Sequence, residues 1–554
     1  MDLVRLFNTL KYLKPVQIYG RFNFLLQRKL AFAKRLREEP QAAKELKKLY
    51  KLKDCNHFDL CFLNDSRTLS IDNVGWKAAD WPFDERPCKL WLYNLNYFNW
   101  LFSENPEHSK ELKLYLILDW IEKNDCPGLE TWEPYPVSKR LTNWVAWLEQ
   151  YKELVGPIKD CINLSIYHQC ERLVIDIEYH IQANHLFENL KAILVTSLYL
   201  LNANMPKPFK LAGWARKAAS ELIEQINEQF CNDGGHYERS PMYHKEMLKA
   251  VEDVKNCIQN IKKSKFLAIY KDFETVLGEL EKLCLEKLPV MQDWLKNMTH
   301  PDGQIALFND CALSEGIKPE INASGKPTNY LLENSGFFIR RWKKNYFVAS
   351  CKEPSPSYQP GHSHCDIMSY ELSIKGIRCI VDTGCGSYQD SEIRHHCRST
   401  ASHNLPLIEL TEQSDIWGSF RIGKRAQIIN RSFDSQTGLL MIEMIDQYGQ
   451  RFKREVVFTE NSVKIRDRMF ERRITGTFCS LIHLHPDALL ASSPGSISID
   501  FSIRDVEFSI QTNAKVRTES HIWYPGFGKA VPSQKLILCN HETEAIDYVI
   551  SWKP

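Results

Sequence analysis

Near residue 330 the hydrophobic period of this 554-residue chain changes, and that change limits what it can fold into. Between about 106 and 300, apolar residues recur at i, i+3, i+4 and i+7 in stretches near 107–123, 137–155, 159–180, 184–203, 211–230, 241–262 and 266–298. The connections are short and no fixed-length repeat is present, so the pattern reads as all-α without a solenoid. From about Gly336 onward the runs are short and β-rich, among them FFIRRW, YFVASC, REVVF, CSLIHLH, KLILC and DYVISW. The polar segment SEGIKPEINASGKPTN (314–329) between the two regimes reads as a linker. The expected division is an arm and covering segment at 1–105, a helical domain at 106–313, the linker, and antiparallel β structure at 330–554, most simply a large sandwich.

The arm itself is basic and amphipathic over residues 1–50, with Leu, Phe and Tyr at helical spacing. A helix packed on the main domain is the simpler reading; a helix lying on a membrane surface is the other. Residues 51–105 are irregular and rich in Trp, Asp and Asn. A net charge of +2 implies no strong field for nucleic acid, so any groove for an acidic ligand has to be local. The 17 cysteines are scattered without a Cys-x-x-Cys pair, which reads as reduced, mostly buried thiols. Arg5, Lys11 and Lys14 interrupt the first apolar stretch, and no run approaches the ~20 apolar residues of a membrane span. These features read as a cytosolic protein, with the periplasm as the alternative.

Chemistry-bearing residues are densest between Tyr358 and Asn404. His362 and His364 stand two apart at the head of an expected strand, which would put both on one face. Lys375-Gly376 reads as a tight turn, so that the following run, IRCIVD, returns Asp382 towards the two histidines. A polar loop with Tyr388, Arg394, His395, His396 and Arg398 follows, and then His403. Two His, an Asp and a later His suffice for a three-ligand N/O metal site with one His to spare, or for nothing more than a decorated hairpin. In the helical half, Trp132, Tyr135, Arg140, Asn143 and Trp144 cluster near one helix start, as a sugar-binding rim or as ordinary packing. Asn184-His185 opens another helix, where Asn is a natural N-cap. In NDGGHYERSPMYHKEM, Asp233-Gly234-Gly235 reads as a turn, and Ser240-Pro241 as an N-cap with a first-turn Pro. Tyr243 then falls in the first turn, where backbone N–H groups favour an anion; Tyr237 is the competing tyrosine.

The blocks ANHLFENLKA, DGGHYERSPMYH, YQPGHSHCD, IVDTG and RSTASHN occur in that order, and together they resemble the heparinase II/III family of polysaccharide lyases. The resemblance covers most of the chain. It implies a multidomain α+β protein, an N-terminal incomplete α/α toroid followed by a C-terminal antiparallel β-sandwich domain. It also implies β-elimination on a uronic-acid-containing polysaccharide. Such a lyase removes the C5 proton next to the C6 carboxylate and expels the C4 oxygen, and neutral donors on the carboxylate stabilise the charge that develops. The family pattern then gives Asn184 the carboxylate, His362 the C5 proton and Tyr243 the leaving oxygen. His185, Arg239, Tyr135, Arg140, Tyr388 and Arg398 become expected substrate contacts. His364, Asp382 and His403 become ligands of one divalent metal, read as a structural zinc. Cys365, Cys385 and Cys397 lie close to these positions and bear on that ligand set. The implied partner is an acidic polysaccharide or oligosaccharide. The competing readings are a non-catalytic carbohydrate-binding protein of a polysaccharide assembly system and a metal-dependent hydrolase, which lacks a motif such as His-Glu-x-x-His.

Overall fold

The computed structural model describes residues 3–31, 36, 38–50, 57–105, 108–151, 153, 156–261, 271–318, 326–491, 498–541 and 543–554. The chain divides into two compact units. One comprises Lys14–Glu228 and Lys249–Leu288; the other comprises Met1–Leu13, Gln229–Leu248 and Pro289–Pro554.

The first unit is helical. Its principal helices are Pro15–Ala31, Glu38–Lys47, Lys89–Tyr97, Lys110–Lys123, Pro134–Gln150, Pro157–Ile175, Ala183–Asn202 and Pro208–Gln229. Local signals set several boundaries. Ser109 accepts a hydrogen bond from Leu112 N at 3.2 Å and starts its helix. Pro157 begins the next-but-one helix, where its missing N–H costs nothing. Ala183–Asn202 is apolar almost all round and buried along most of its length, and helices Pro134–Gln150 and Pro157–Ile175 pack against it. The irregular segment contains a two-stranded hairpin, His57–Phe62 with Asp65–Ser70; residues 51–56 lie outside the described residues. The 266–270 part of the last expected helix and 319–325 of the expected linker also lie outside them.

The second unit is a β-sandwich. An eight-stranded antiparallel sheet runs in the order Gln427–Asp434, Leu439–Ile445, Arg451–Phe458, Ser462–Met469, Ala545–Trp552, Val506–Thr512, Ser498–Ile503, Leu489–Leu490. Its strands alternate buried and partly exposed residues, as Leu439–Ile445 and Ala545–Trp552 do, so only one face meets the core. A five-stranded sheet (Thr328–Leu332, Phe337–Trp342, Asn345–Ser350, Tyr370–Ile374, Ile377–Ile380) and a four-stranded sheet (Lys515–Gly526, Lys529–Asn540, Phe478–His483, Pro406–Ile408) supply the other layer. Strands Asn345–Ser350, Tyr370–Ile374 and Phe478–His483 are buried at every residue because both of their faces are covered. One core joins the three sheets through Phe338, Phe347, Ile442, Ile465, Phe478 and Leu538.

Two stretches of this unit, Gln229–Leu248 and the chain that begins at Pro289, precede the sheets in sequence and are bonded into them. Asp233 accepts from Ser335 N at 2.8 Å, Trp294 Nε1 donates to Ser335 Oγ at 2.8 Å, and His300 Nε2 donates to Glu371 at 2.9 Å. The turn at Asp233-Gly234-Gly235 needs its glycines: Gly234 has φ +87°, and a Cβ there would lie 2.1 Å from the carbonyl oxygen of Val290. The cysteine expectation needs one correction. Cys479 and Cys539 occupy directly opposed positions on neighbouring strands and form a disulfide. Most of the other described cysteines are buried.

Candidate active site

Ser240 Oγ accepts from Tyr243 N at 3.3 Å and donates to Asp310 O at 2.6 Å, so the helix Pro241–Ile261 starts where the Ser-Pro pair predicts. Tyr243 therefore stands in its first turn. The segment carrying His362 crosses over it: the two rings stack with centroids 3.9 Å apart and planes 13° from parallel. His362 Nδ1–H donates to Glu238 Oε1 at 3.0 Å. Its Nε2 has no hydrogen-bond partner among the described residues. An imidazole whose Nδ1 proton is held by a carboxylate presents an unprotonated Nε2, the form that accepts a proton. The Tyr243 and Tyr388 hydroxyls share a hydrogen bond of 2.8 Å. Burial, and then the neighbouring Tyr243 and Asp310, push the Tyr388 phenol well above its ordinary value, so it stays protonated.

Behind these rings lies a buried charge cluster. Asp310 takes a two-pronged ion pair from Arg394, with Nη2 to Oδ2 at 2.9 Å, and a hydrogen bond from His364 Nε2 at 2.8 Å. Burial alone would raise the Asp310 pKa, but the Arg394 guanidinium and His364 overcome it and hold the carboxyl well below the carboxylate range. Arg394 then lies over the rings of Tyr388 and Phe420, at 5.1 and 4.9 Å. Asn309 accepts from Lys352 Nζ at 2.9 Å and from His364 N at 3.1 Å, and it donates to the carbonyl of Glu238 at 3.0 Å. Lys352 in turn is ion-paired with Asp366. The residue pair Asn309-Asp310 thus ties the tyrosine-bearing turn to the histidine-bearing loop.

Two local expectations change here. His362 and His364 do not head a strand; the chain from Tyr358 to Ser369 is a series of turns, and the strand begins at Tyr370. Without a ladder to alternate along, the two imidazoles reach different partners, Glu238 and Asp310. The polar loop also contains a helix, Glu392–Arg398, which Ser391 caps by accepting from Arg394 N at 3.3 Å. The Lys375-Gly376 turn is where it was expected, with both residues at positive φ.

The metal expectation meets a specific arrangement. His403 Nδ1–H donates to Asp382 Oδ2 at 2.7 Å, and the His364 and His403 rings lie 5.4 Å apart. His364 Nδ1 and His403 Nε2 are buried and have no hydrogen-bond partner among the described residues. Each imidazole thus spends one nitrogen on a carboxylate and leaves the other bare, as metal-ligating histidines do. Among the described residues, however, no group of three or more His, Cys, Asp or Glu side chains is arranged to hold an ion. The nearby thiols are occupied elsewhere: Cys385 donates to Asp310 at 3.4 Å and Cys365 to Ser414 O at 3.6 Å.

In the helical unit, Asn184 is not the N-cap. Helix Ala183–Asn202 is capped at Gln182, whose φ of +69° turns the chain, and Asn184 sits in the first turn. The residue is 4% exposed, and its amide makes no hydrogen bond to the described residues. His185 donates to Glu178 Oε2 at 3.1 Å and lies against Tyr135, ring centroids 4.4 Å apart. Arg140 and Arg398, both expected to touch substrate, are fully buried. Arg140 bonds Gln169 at 2.7 Å and covers the Trp120 ring at 3.8 Å. Arg398 donates to the carbonyls of Gly418 and Arg421, at 2.9 and 3.1 Å. Arg239 is likewise engaged, donating to the carbonyls of Glu353 and Asn334. Sequence reasoning passed over Glu238 and Asp310 altogether. Glu238 stands within the DGGHYERSPMYH block, five residues before Tyr243 in sequence, but nothing in that spacing says which side chain its carboxylate will meet.

Two family profiles match this chain in succession: heparinase II/III N-terminus over residues 84–320, and heparinase II/III-like, C-terminal, over 326–553. A heparin-sulfate lyase of Pedobacter heparinus is 24% identical over 61% of this chain and 54% of its own length. A heparin-sulfate lyase of Bacteroides stercoris is 21% identical over 60% of this chain and 55% of its own length. The chain thus spans about half the length of these curated relatives. Among solved structures, a heparinase III superposes with a TM-score of 0.66 at 16% identity, covering 94% of this chain and 85% of that one. That likeness gives the fold its description, an incomplete α/α toroid followed by an antiparallel β-sandwich.

Proposed function

Because this chain belongs to the heparinase II/III family, we propose that it is a polysaccharide lyase that cleaves a uronic-acid-containing glycan by β-elimination. The observation that carries the reading is the stacked Tyr243–His362 pair, with His362 Nδ1 held by Glu238. In the proposed reaction His362 Nε2 takes the C5 proton, and the C5–H electron pair becomes the C4–C5 double bond. The C4–O bond breaks, and the departing oxygen takes the Tyr243 hydroxyl proton. Tyr388, hydrogen-bonded to that hydroxyl, is placed to steady the phenolate that results. Where C5–H and the C4 oxygen share a face, Tyr243 serves as both base and acid. Each such group contributes ~10²–10⁴-fold. Asn184, with His185 as helper, takes the carboxylate of the substrate; this role rests on the family resemblance and on an amide with no bond to the described residues.

The curated relatives act on heparin sulfate by name, which supports an acidic glycosaminoglycan as substrate class. We propose also that His364 and His403, with Asp382, take one divalent cation of the zinc type; the support is the two bare, buried imidazole nitrogens. Bound there, the cation supplies cross-linking of the loop segments instead of reacting groups. The deciding experiment is ultraviolet absorbance during incubation with a panel of uronate polymers that includes heparan sulfate. Elimination creates a conjugated double bond and a rising signal. Binding to a polymer without any such signal would replace the lyase reading with that of a carbohydrate-binding protein.

A further inference from the structure

Helix Pro15–Ala31 is apolar on two faces, and the fold uses only one of them. On the inner face, Gln17 and Ala31 are buried, Gly20 lies against the backbone of His180, and the Phe24 ring meets the His180 ring at 4.5 Å. Arg28 completes this side. It donates to the carbonyls of Pro127, Gly128, Leu129 and Trp132, at 2.8–3.0 Å. These bonds fix the rotation of the helix about its axis.

The outer face is the unusual one. Ile18, Tyr19, Phe22, Leu25, Leu26 and Leu30 are 46–72% exposed, and at 100° per residue they form one stripe along the helix. Six large apolar side chains in a continuous row are not scattered surface residues; a patch of that kind marks a place of contact. Charge says what kind of contact. Arg21 and Lys29 are exposed on the helix beside and within the stripe. From Leu3 to Arg37 the sequence holds nine Lys and Arg and no Asp or Glu. Three carboxylates of the helical unit on this side are engaged: Asp176 by Arg28 at 3.7 Å, Glu228 by Lys14, and Glu221 by the Tyr179 hydroxyl at 2.7 Å. A protein partner docking along six apolar residues would commonly meet both signs of charge; here the helix itself carries only positive ones.

We propose that this helix is a surface for anionic lipid: it lies in the plane of a bilayer, with the stripe among the upper acyl chains and Arg21 and Lys29 at the headgroups. Long cationic side chains suit that position, because their stems lie on apolar surface while the charges reach the phosphates. No helix among the described residues is long and apolar enough to cross a membrane, and the proposal is of a helix lying along its surface. It does not depend on the lyase reading.

The test uses the full chain and sedimentation with vesicles of phosphatidylcholine alone or mixed three to one with phosphatidylglycerol. Binding to the mixed vesicles, weakened by salt and much smaller on phosphatidylcholine, is expected. R21Q/K29Q should lower the partition coefficient about fivefold per charge removed. F22E/L26E should abolish binding while leaving circular dichroism and the melting temperature unchanged, because neither side chain packs inside. Wild-type protein that stays in the supernatant with the mixed vesicles overturns the proposal, as does equal binding to both compositions. A wild-type dimer that F22E/L26E converts to monomer also overturns it and makes the stripe a self-association surface.

Discussion

Replacing Tyr243 by Phe removes one atom from the proposed reaction and little else. The ring keeps its 3.9 Å stack on His362, and the helix start is untouched because its cap is made by Ser240 and the backbone of residue 243. The loss is one hydroxyl and its 2.8 Å bond to Tyr388, worth about 0.5–1.5 kcal/mol of stability. The catalytic loss is larger. Without a proton for the departing oxygen, kcat should fall ~10²–10⁴-fold, equivalent to about 3–5 kcal/mol of transition-state stabilisation. KM should change little, since the hydroxyl acts mainly as charge moves. Initial rates from the absorbance of the unsaturated product, with wild type and variant on the same polymer, measure both quantities, and a melting curve checks the fold. Turnover within threefold of wild type would remove Tyr243 from the chemistry and bring Tyr237 forward.

Further outcomes are expected. Glu238→Gln should lower kcat by ~10² or more and reshape the pH–rate profile, because a neutral amide no longer fixes which His362 nitrogen carries the proton; an unchanged profile would reduce Glu238 to a packing residue. His244 accepts from His236 N through Nδ1 and donates to Met291 O through Nε2, so it is neutral when folded, its pKa pushed by burial down to about 3. The unfolded chain takes that proton near pH 6.5, so stability is present above that pH and is lost as pH falls towards 3. Between pH 7 and 5 the loss is about 2 kcal/mol, and His244→Gln should flatten the dependence of the melting temperature on pH; equal slopes would refute this. Purified protein should contain about one equivalent of zinc or a similar cation, and His403→Ala should lose it and melt earlier. Metal-free wild type of equal stability would return His364 and His403 to a structural role.

Much of the fold could be read from the chain because its determinants are local. The helix start at Ser240, the turn at Lys375-Gly376 and the alternation of the sandwich strands all lie within a few residues of what specifies them. The site is less legible because its bonds are long-range. Asp310 meets Arg394 across 84 residues and His364 across 54, and no spacing rule spans such distances. Arg140 and Arg398 are hard to read for the opposite reason: a guanidinium that bonds carbonyls or covers an indole face has the same letter as one facing a carboxylate. The N-cap expected at Asn184 lies two residues earlier because Gln182, and not the better capping residue, turns the chain.

The β-rich unit borrows Gln229–Leu248 and the chain from Pro289 onward from before the junction of the two family profiles. Ser335 binds Asp233 and Trp294, Glu371 binds His300, and His362 binds Glu238. A recombination event at residue 326 would therefore inherit the imidazole from one parent and its carboxylate from the other. Halves drawn from diverged relatives would meet as strangers at each of these bonds. Lineages that trade sequence at this junction should keep Asp233, Glu238, Trp294 and His300 as a set with their later partners, so that the unit passes on as three pieces of one inheritance.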